Sequence, residues 1–331
     1  MYRGEIKVFS CTSGKSFSLR VIKELNKILE ISANKVSLGN YSCSNFADGE
    51  LRPRIDETVR GKDTYLIQQL VDYSNRSIND NIMEMLFAAN AIIDSQPAFL
   101  TLVIPYLAYS RQDRPLDREA ASASCLSDLI KTVGVNGVMT MDVHADQISG
   151  MYKNMGFDNM RASKVLIPTI KENIDLEDVI VISPDSGGAK RADYFAKKLK
   201  TKMAVMHKNR DYDKVNTVSK SELIGSVGGK KVLIIDDIVD TGGSIVNAVK
   251  ELYHKGATSI TVACSHALLN GNAKRNLSKL HKEGKLEYLV TTDTVLHKHK
   301  PFWLKEVSVS HLFANAIYNM NNNISISKLY N

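Results

Sequence analysis

The chain has 331 residues, with 43 Lys+Arg against 36 Asp+Glu for a formal charge of +7, and 44% of its residues are hydrophobic and 24% charged. These proportions exclude a disordered, collagen-like or coiled-coil chain, and the length points to two domains, each able to bury a core. The excess of positive charge suits a polyanionic ligand, nucleotide or nucleic acid, without choosing between them.

Apolar runs of five to eight residues alternate with segments of helical period, the pattern of a largely parallel α/β sheet. In chain order the expected strands are Ile6–Cys11, Thr64–Gln69, Thr101–Pro105, Gly137–Met141, Val179–Ser183, Met203–Met206, Lys231–Asp236, Ser259–His266 and Tyr288–Thr292. Helical stripes lie between them: Ile82, Met85, Leu86, Ala89 and Ile93 behind an Asn79/Asp80 cap, then Leu126 to Val133, Ala192 to Leu199, and Ile245 to Leu252. The apolar pattern lapses between Tyr152 and Arg161, where we place a domain boundary, giving 1–155 and 156–307. His207 to Lys231 has no apolar face and is expected to form a long mobile loop or a hairpin. A helix near 308–320 is expected to pack back on the first domain, and the Asn-rich stretch 319–331 to fray.

The longest apolar run, Phe99 to Tyr109, is about half the roughly 20 residues a membrane span needs, and Pro105 interrupts it. Glu5 and Lys7 come before any apolar stretch long enough for a signal-peptide core. Cys11, Cys43, Cys125 and Cys264 form no C-x-x-C pair and read as reduced thiols. A cytoplasmic location with no membrane partner is the expectation. The basic segments around Lys197–Lys200 and His297–Lys300 read as solvated faces, so no nucleic-acid partner is expected, and the His297/His299 pair is too sparse for a metal site.

Two segments share the order strand, acidic residue, Gly-Gly, helix: Val179 to Gly188, through Asp185, and Val232 to Ser244. In the second, a strand ends on Asp236 and Asp237, and Asp240 leads into Thr241-Gly242-Gly243-Ser244 at a helix start. The glycines let backbone approach an anion, the helix N-terminus attracts phosphate, and the hydroxyls add donors. Carboxylates repel free phosphate but accept from sugar hydroxyls, so a phosphorylated sugar suits this loop. Asp185 and His144 both follow buried strands, where ligands gather in open α/β sheets. For a hard cation, chemistry alone favours Asp185 with Asp142 or Asp146 ahead of His144.

The loop at Asp236–Ser244 resembles the ribose-5-phosphate loop of the type I phosphoribosyltransferase fold. Phe46-Ala47-Asp48-Gly49-Glu50, Asn79 to Glu84, Ile104 to Arg114, Met141 to Ile148, Ser183-Pro184-Asp185 and Val307 to Ser310 resemble, in order, motifs of the ribose-phosphate diphosphokinase (PRPP synthetase) family, and the likeness runs from about Lys7 to about Ile317. It implies two similar phosphoribosyltransferase-type domains, each a mainly parallel sheet flanked by helices. It also implies transfer of the β,γ-diphosphate of ATP to the 1-hydroxyl of ribose 5-phosphate. On that resemblance Asp48, Gly49, Glu50, Arg111 and Gln112 bind ATP, and His144 and Asp185 hold Mg²⁺. Asp236, Asp237, Asp240, Thr241, Gly242, Gly243 and Ser244 bind ribose 5-phosphate together with Arg210, and Lys208 and Arg210 are catalytic. A homo-oligomer, a hexamer, is expected, with Arg111–Arg114 reaching a neighbouring site. Asn209 stands where the family usually has a second Arg, and the altered stretch Arg114–Ser124 bears on its regulation by phosphate and ADP. The alternatives are a non-catalytic regulatory homologue and, with less support, a phosphoribosyltransferase.

Overall fold

The computed structural model describes residues 3–29, 35–71, 76–115, 117–208 and 221–330, with only the backbone at Lys208 and Ser221. The chain divides into two units: Met1–Arg161 with Thr294–Leu296 and Ser308–Asn331, and Ala162–Asp293 with His297–Val307.

The first unit runs β1 (Ile6–Ser10), α1 (Lys15–Ile28), β2 (Tyr41–Asn45), β3 (Leu51–Ile55), β4 (Asp63–Ile67), α2 (Ile78–Asp94), β5 (Phe99–Val103), α3 (Ser122–Val133), β6 (Gly137–Met141) and β7 (Gly156–Met160). Its five-stranded sheet has the order β1-β4-β5-β6-β7 and is parallel throughout. Val8, Phe9, Leu66, Ile67, Leu100, Leu102, Val138 and Met139 are fully buried. A parallel strand covered on both faces has no solvent side for polar residues, so these strands read as continuous apolar runs.

Two elements escape that signal. β2 and β3 form a separate antiparallel hairpin whose residues alternate between half-buried and exposed. β7 is an edge strand, half-buried along most of its length, lying where the lapse in apolar pattern suggested a boundary. Its Phe157 ring stacks on Tyr152 at 4.4 Å. The cap of α2 is Ser77 rather than Asn79 or Asp80: Asp80 closes a capping box, its N–H donating to Ser77 Oγ at 3.2 Å while its carboxylate accepts from the Ser77 N–H at 2.8 Å.

The second unit runs α4 (Ser163–Asn173), β8 (Val179–Ser183), α5 (Ala189–Leu199), β9 (Lys202–Lys208), β10 (Ser221–Ile224), β11 (Lys231–Val239), α6 (Gly243–His254), β12 (Ser259–Ala267), α7 (Ala273–Lys282), β13 (Leu289–Thr292) and β14 (Leu304–Val307). The sheet order is β10-β9-β8-β11-β12-β13-β14, parallel except for the antiparallel pair β9–β10. The described ends of the expected loop or hairpin, Lys208 and Ser221, are thus paired as hairpin arms. Ile180, Ile182, Val232, Ile234, Val262 and Leu289 form the middle of the core, with Ile245, Val249 and Leu252 of α6 and Leu277 and Leu280 of α7 packed on it.

The chain then returns to the first unit with α8 (Ser310–Asn321), which packs on α1 and sets Phe313 edge-on to Phe17 with ring centres 5.2 Å apart. A buried polar cluster fixes its end. The Arg3 guanidinium forks onto Asp63 with two bonds of 3.1 Å, the Tyr65 hydroxyl donates to Asp63 at 2.8 Å, and Asn321 donates to the same carboxylate at 2.9 Å. Within 319–331, a 3-10 turn spans Ile326–Tyr330, and the Tyr330 hydroxyl accepts from the Arg161 N–H at 3.3 Å. No helix among the described residues is long and apolar enough to cross a membrane.

Candidate active site

In the second unit, β8 and β11 are neighbours, so the turns after their carboxyl ends are neighbours too. After β11 the backbone passes Asp240 and Thr241 and enters the left-handed region at Gly242, with φ of 74°, to start α6. A side chain there would strain the turn, which explains the glycine. Gly243, the first helical residue, faces open space: a Cβ built on it meets nothing within 4 Å. Thr241, Gly243 and Ser244 are exposed, and the first N–H groups of a helix have no carbonyl of their own turn to reach. The end of α6 is therefore an accessible cluster of donors with positive dipole character, fit for a phosphate.

The carboxylates beside it are held, each differently. The Asp237 N–H donates to Asp236 Oδ1 at 2.9 Å, and Arg191 of α5 reaches Asp237 Oδ1 at 3.3 Å. Asn270 Nδ2 donates to Asp240 Oδ1 at 2.8 Å, and its N–H reaches the Asp240 carbonyl at 3.1 Å. Burial, then the charge of Asp237, pushes the Asp236 carboxyl well above the usual carboxylate range, against the opposing pull of Arg191. Cys264, the register partner of Asp236 on β12, is fully buried, and burial pushes its thiol up to about 12. It is a space-filling residue beneath the site.

Asp185 lies in the turn between β8 and α5. The Gly188 N–H donates to its Oδ1 at 3.0 Å and the Ser183 hydroxyl donates to its carbonyl at 2.7 Å. Ser186 Oγ lies 3.1 Å from His207 Nδ1 on β9, which sets the Lys208 backbone beside the Asp185 turn. The Lys208 side chain and Arg210 lie outside the described residues, as does Asn209.

In the first unit, Asp48, Gly49 and Glu50 form the exposed tip of the β2–β3 hairpin. The tip is a built turn: the Phe46 N–H donates to the Glu50 carbonyl at 2.9 Å, the Gly49 N–H to the Phe46 carbonyl at 3.0 Å, and the Glu50 N–H to Asp48 Oδ1 at 3.0 Å. Gly49 has φ of 96°, again the left-handed region. Arg111 and Gln112 are exposed on the loop after β5, and His144 is exposed on the loop after β6. A hydrogen bond from Gln147 to Asp113 ties these two loops together. Arg161 approaches Asp142 and Asp146 at 3.9 Å each.

Arg191 and Asn270 receive no role from the sequence, and in the first unit Glu84 stands there only as the end of the Asn79–Glu84 stretch; all three take their roles from partners distant in the chain. For a metal, no group of three or more His, Cys, Asp or Glu residues is preassembled among the described residues. The Asp185 carboxylate fits a hard cation that takes most of its ligands from water and substrate phosphate, as Mg²⁺ does.

Residues 6–134 match the family model described as the N-terminal domain of ribose phosphate pyrophosphokinase, and residues 153–301 match that of the phosphoribosyl transferase domain. The chain is 34% identical over 324 residues to the ribose-phosphate pyrophosphokinase of Porphyromonas gingivalis, covering 98% of this chain and 97% of that one. It is 33% identical over 332 residues to that of Thermotoga maritima, covering 99% of each. The crystal structure of phosphoribosylpyrophosphate synthetase from Mycobacterium smegmatis matches with a TM-score of 0.85 and 30% identity, covering 96% of this chain and 99% of that one.

Proposed function

The chain belongs to the ribose-phosphate pyrophosphokinase (PRPP synthetase) family and is a diphosphotransferase that makes PRPP, and on that premise we propose which of its residues do the work. The α/β architecture, with two phosphoribosyltransferase-type domains each built on a mainly parallel sheet flanked by helices, is the one expected from the sequence.

The reaction moves the β,γ-diphosphate of ATP to the 1-hydroxyl of ribose 5-phosphate and releases AMP. The observation that carries the assignment is the turn between β11 and α6, where an exposed helix start stands next to three carboxylates that are individually held. Gly242, Gly243 and Ser244, with Thr241, hold the 5-phosphate, and Asp236, Asp237 and Asp240 accept from the sugar hydroxyls. Arg111 and Gln112, with the hairpin tip Asp48–Glu50, hold the nucleotide. His144 and Asp185 hold Mg²⁺, which when bound neutralises triphosphate charge. Lys208 and Arg210 stabilise charge on the transferred diphosphate and on the departing AMP; loss of one such donor costs on the order of 10²–10³ in rate. Positioning and electrostatics supply the catalysis, and no general base is assigned. We further propose a cytoplasmic homo-oligomer, with a hexamer as the form to test by light scattering.

Purified protein with Mg²⁺, ATP and ribose 5-phosphate is expected to yield AMP and PRPP, and Lys208→Ala to slow the formation of both by on the order of 10²–10³. ADP as product would replace the diphosphate transfer with a simple kinase reaction. Nucleotide binding without turnover would leave a regulatory subunit.

A further inference from the structure

One fully buried carboxylate in the first unit has no part in the chemistry described above. Glu84, on the inward face of α2, is 0% exposed. Its Oε1 accepts from the Thr12 N–H at 3.0 Å, the Thr12 hydroxyl at 2.7 Å and the Tyr41 hydroxyl at 2.8 Å. Its Oε2 accepts from Arg76 Nη2 at 2.9 Å and lies 3.4 Å from Gln68 Nε2. The donors come from the turn after β1, from β2, from the chain just past β4 and from the segment entering α2. A buried carboxylate is tolerated when it is paired and its lone pairs are filled, and each donor is thereby pinned to the same two oxygens.

Tyr41 differs from the others because it belongs to the hairpin. β2 and β3 pair only with each other and take no place in the five-stranded sheet. At its base the hairpin is held to β1, the Gly39 N–H donating to the Val8 carbonyl at 2.7 Å, and beyond that point its direction depends on its packing against α2 and on the Tyr41 bond to Glu84. Burial, then the neighbouring Cys11 and Glu84, pushes the Tyr41 hydroxyl far above its ordinary pKa, so it remains a donor across the working pH range. At about 3.3 Å per residue, the four steps from Tyr41 to the end of β2 span roughly 13 Å. A tilt of about 5° at Tyr41 would thus move the tip by about 1 Å, enough to take a hydrogen bond from the tip to a ligand out of its favourable distance range.

We propose that Glu84 is a positioning residue which, through Tyr41, sets the angle of the β2–β3 hairpin and so the affinity of its Asp48–Glu50 tip for nucleotide. The inference rests on the assignment of that tip to the nucleotide. Thr12 supplies an internal comparison, since its hydroxyl bonds the same Glu84 oxygen as Tyr41 but from outside the hairpin.

The test compares Tyr41→Phe with Thr12→Val, each losing one hydroxyl bond to Oε1, in the full-length protein. Binding of the non-hydrolysable analogue AMP-PNP with Mg²⁺ is measured by calorimetry, alongside steady-state kinetics and thermal melting. Tyr41→Phe is expected to weaken AMP-PNP binding and to raise the KM for ATP by about 10-fold, the scale of one hydrogen bond to a charged group. Its kcat and its KM for ribose 5-phosphate should stay within about twofold, whereas Thr12→Val should bind AMP-PNP within about twofold of wild type despite a comparable fall in Tm. Equal weakening by both variants, or unchanged binding by Tyr41→Phe, overturns the proposal in favour of a purely structural carboxylate. Should Tyr41→Phe fail to fold, Glu84→Gln is titrated in its place with the same two readings. Wild-type protein that binds AMP-PNP but forms no AMP refutes the catalytic assignment alone, and the binding comparison still decides this one. Wild-type protein that binds no nucleotide refutes both.

Discussion

Replacing Arg191 by Met removes a cation that faces Asp237, a carboxylate only 4% exposed that stands beside Asp236. At the observed 3.3 Å and an effective dielectric of about 20, the attraction lost is about 5 kcal/mol in gross terms. The Arg191 side chain is only a quarter exposed, at 25%, so solvent screens little of this. Part returns because Met needs no desolvation, and a net loss of about 3–5 kcal/mol is typical when one partner of a buried pair is removed. By scanning calorimetry this corresponds to a fall of roughly 6–20 °C in Tm at pH 7. The loss is electrostatic, so it should shrink as the pH falls and the adjacent carboxyls take up protons, because the cation then has less to offset. The ribose 5-phosphate KM should rise in parallel, because Asp237 would no longer be held in place. A loss below about 1 kcal/mol, or one that is constant from pH 4 to pH 8, would refute the assignment of Arg191 as the charge that permits a buried Asp237 beside half-buried Asp236.

The raised pKa of Asp236 means that the folded state binds its proton more tightly than the unfolded chain. Stability is therefore given up as the pH rises above about 4, and Asp236→Asn should melt higher than wild type at pH 7 while its ribose 5-phosphate KM rises by about 10-fold or more. His297 is displaced the other way: burial, then the charge of Lys274, lowers it from 6.5 to about 4, and its Nε2 is buried without a hydrogen-bond partner. The unfolded chain then binds more protons between about pH 6.5 and 4, so stability should fall through that window by up to about 3 kcal/mol, and His297→Gln should lose this component of the acid profile in urea titrations. Burial above all, reinforced by the Glu84 charge, raises the thiols of both Cys11 and Cys43. Cys11, which is fully buried, should resist iodoacetamide at pH 8 in the folded protein and react when it is unfolded, while half-buried Cys43 should react in between, as followed by mass spectrometry; rapid labelling of native Cys11 would refute its buried placement.

The parts of the fold legible from sequence are those in which one local property suffices. Val179–Ser183 and the start of β11 read as strands because a parallel strand covered on both faces must be apolar along its length. Tyr41–Asn45 and Leu51–Ile55 did not, since a hairpin exposed on one side alternates and its inward residues here include Tyr, Cys and Pro. Gly156–Met160 falls in the lapse of apolar pattern that reads as a boundary, because an edge strand needs few apolar residues. The same division holds for the site. The turn from Asp236 to Ser244 is legible because a phosphate-binding helix start places all its demands within nine consecutive residues. Glu84 closes the Asn79–Glu84 stretch, yet its role is not legible there, since it depends on Thr12, 72 positions away, and Tyr41, 43 positions away. The role of Arg191 is equally hidden in sequence, appearing only when α5 packs beside β11.

The return of α8 to the first unit also has a consequence for how the protein is born. Most of that unit is translated before the second, yet α1 keeps its apolar face, including Phe17, without Phe313 until translation has passed Ser310–Asn321. The second unit, made of nearly contiguous residues, can finish folding while the first still waits for its last helix. During synthesis the order of completion is thus the reverse of the order of translation, and the nascent first unit is the form on which a chaperone would act.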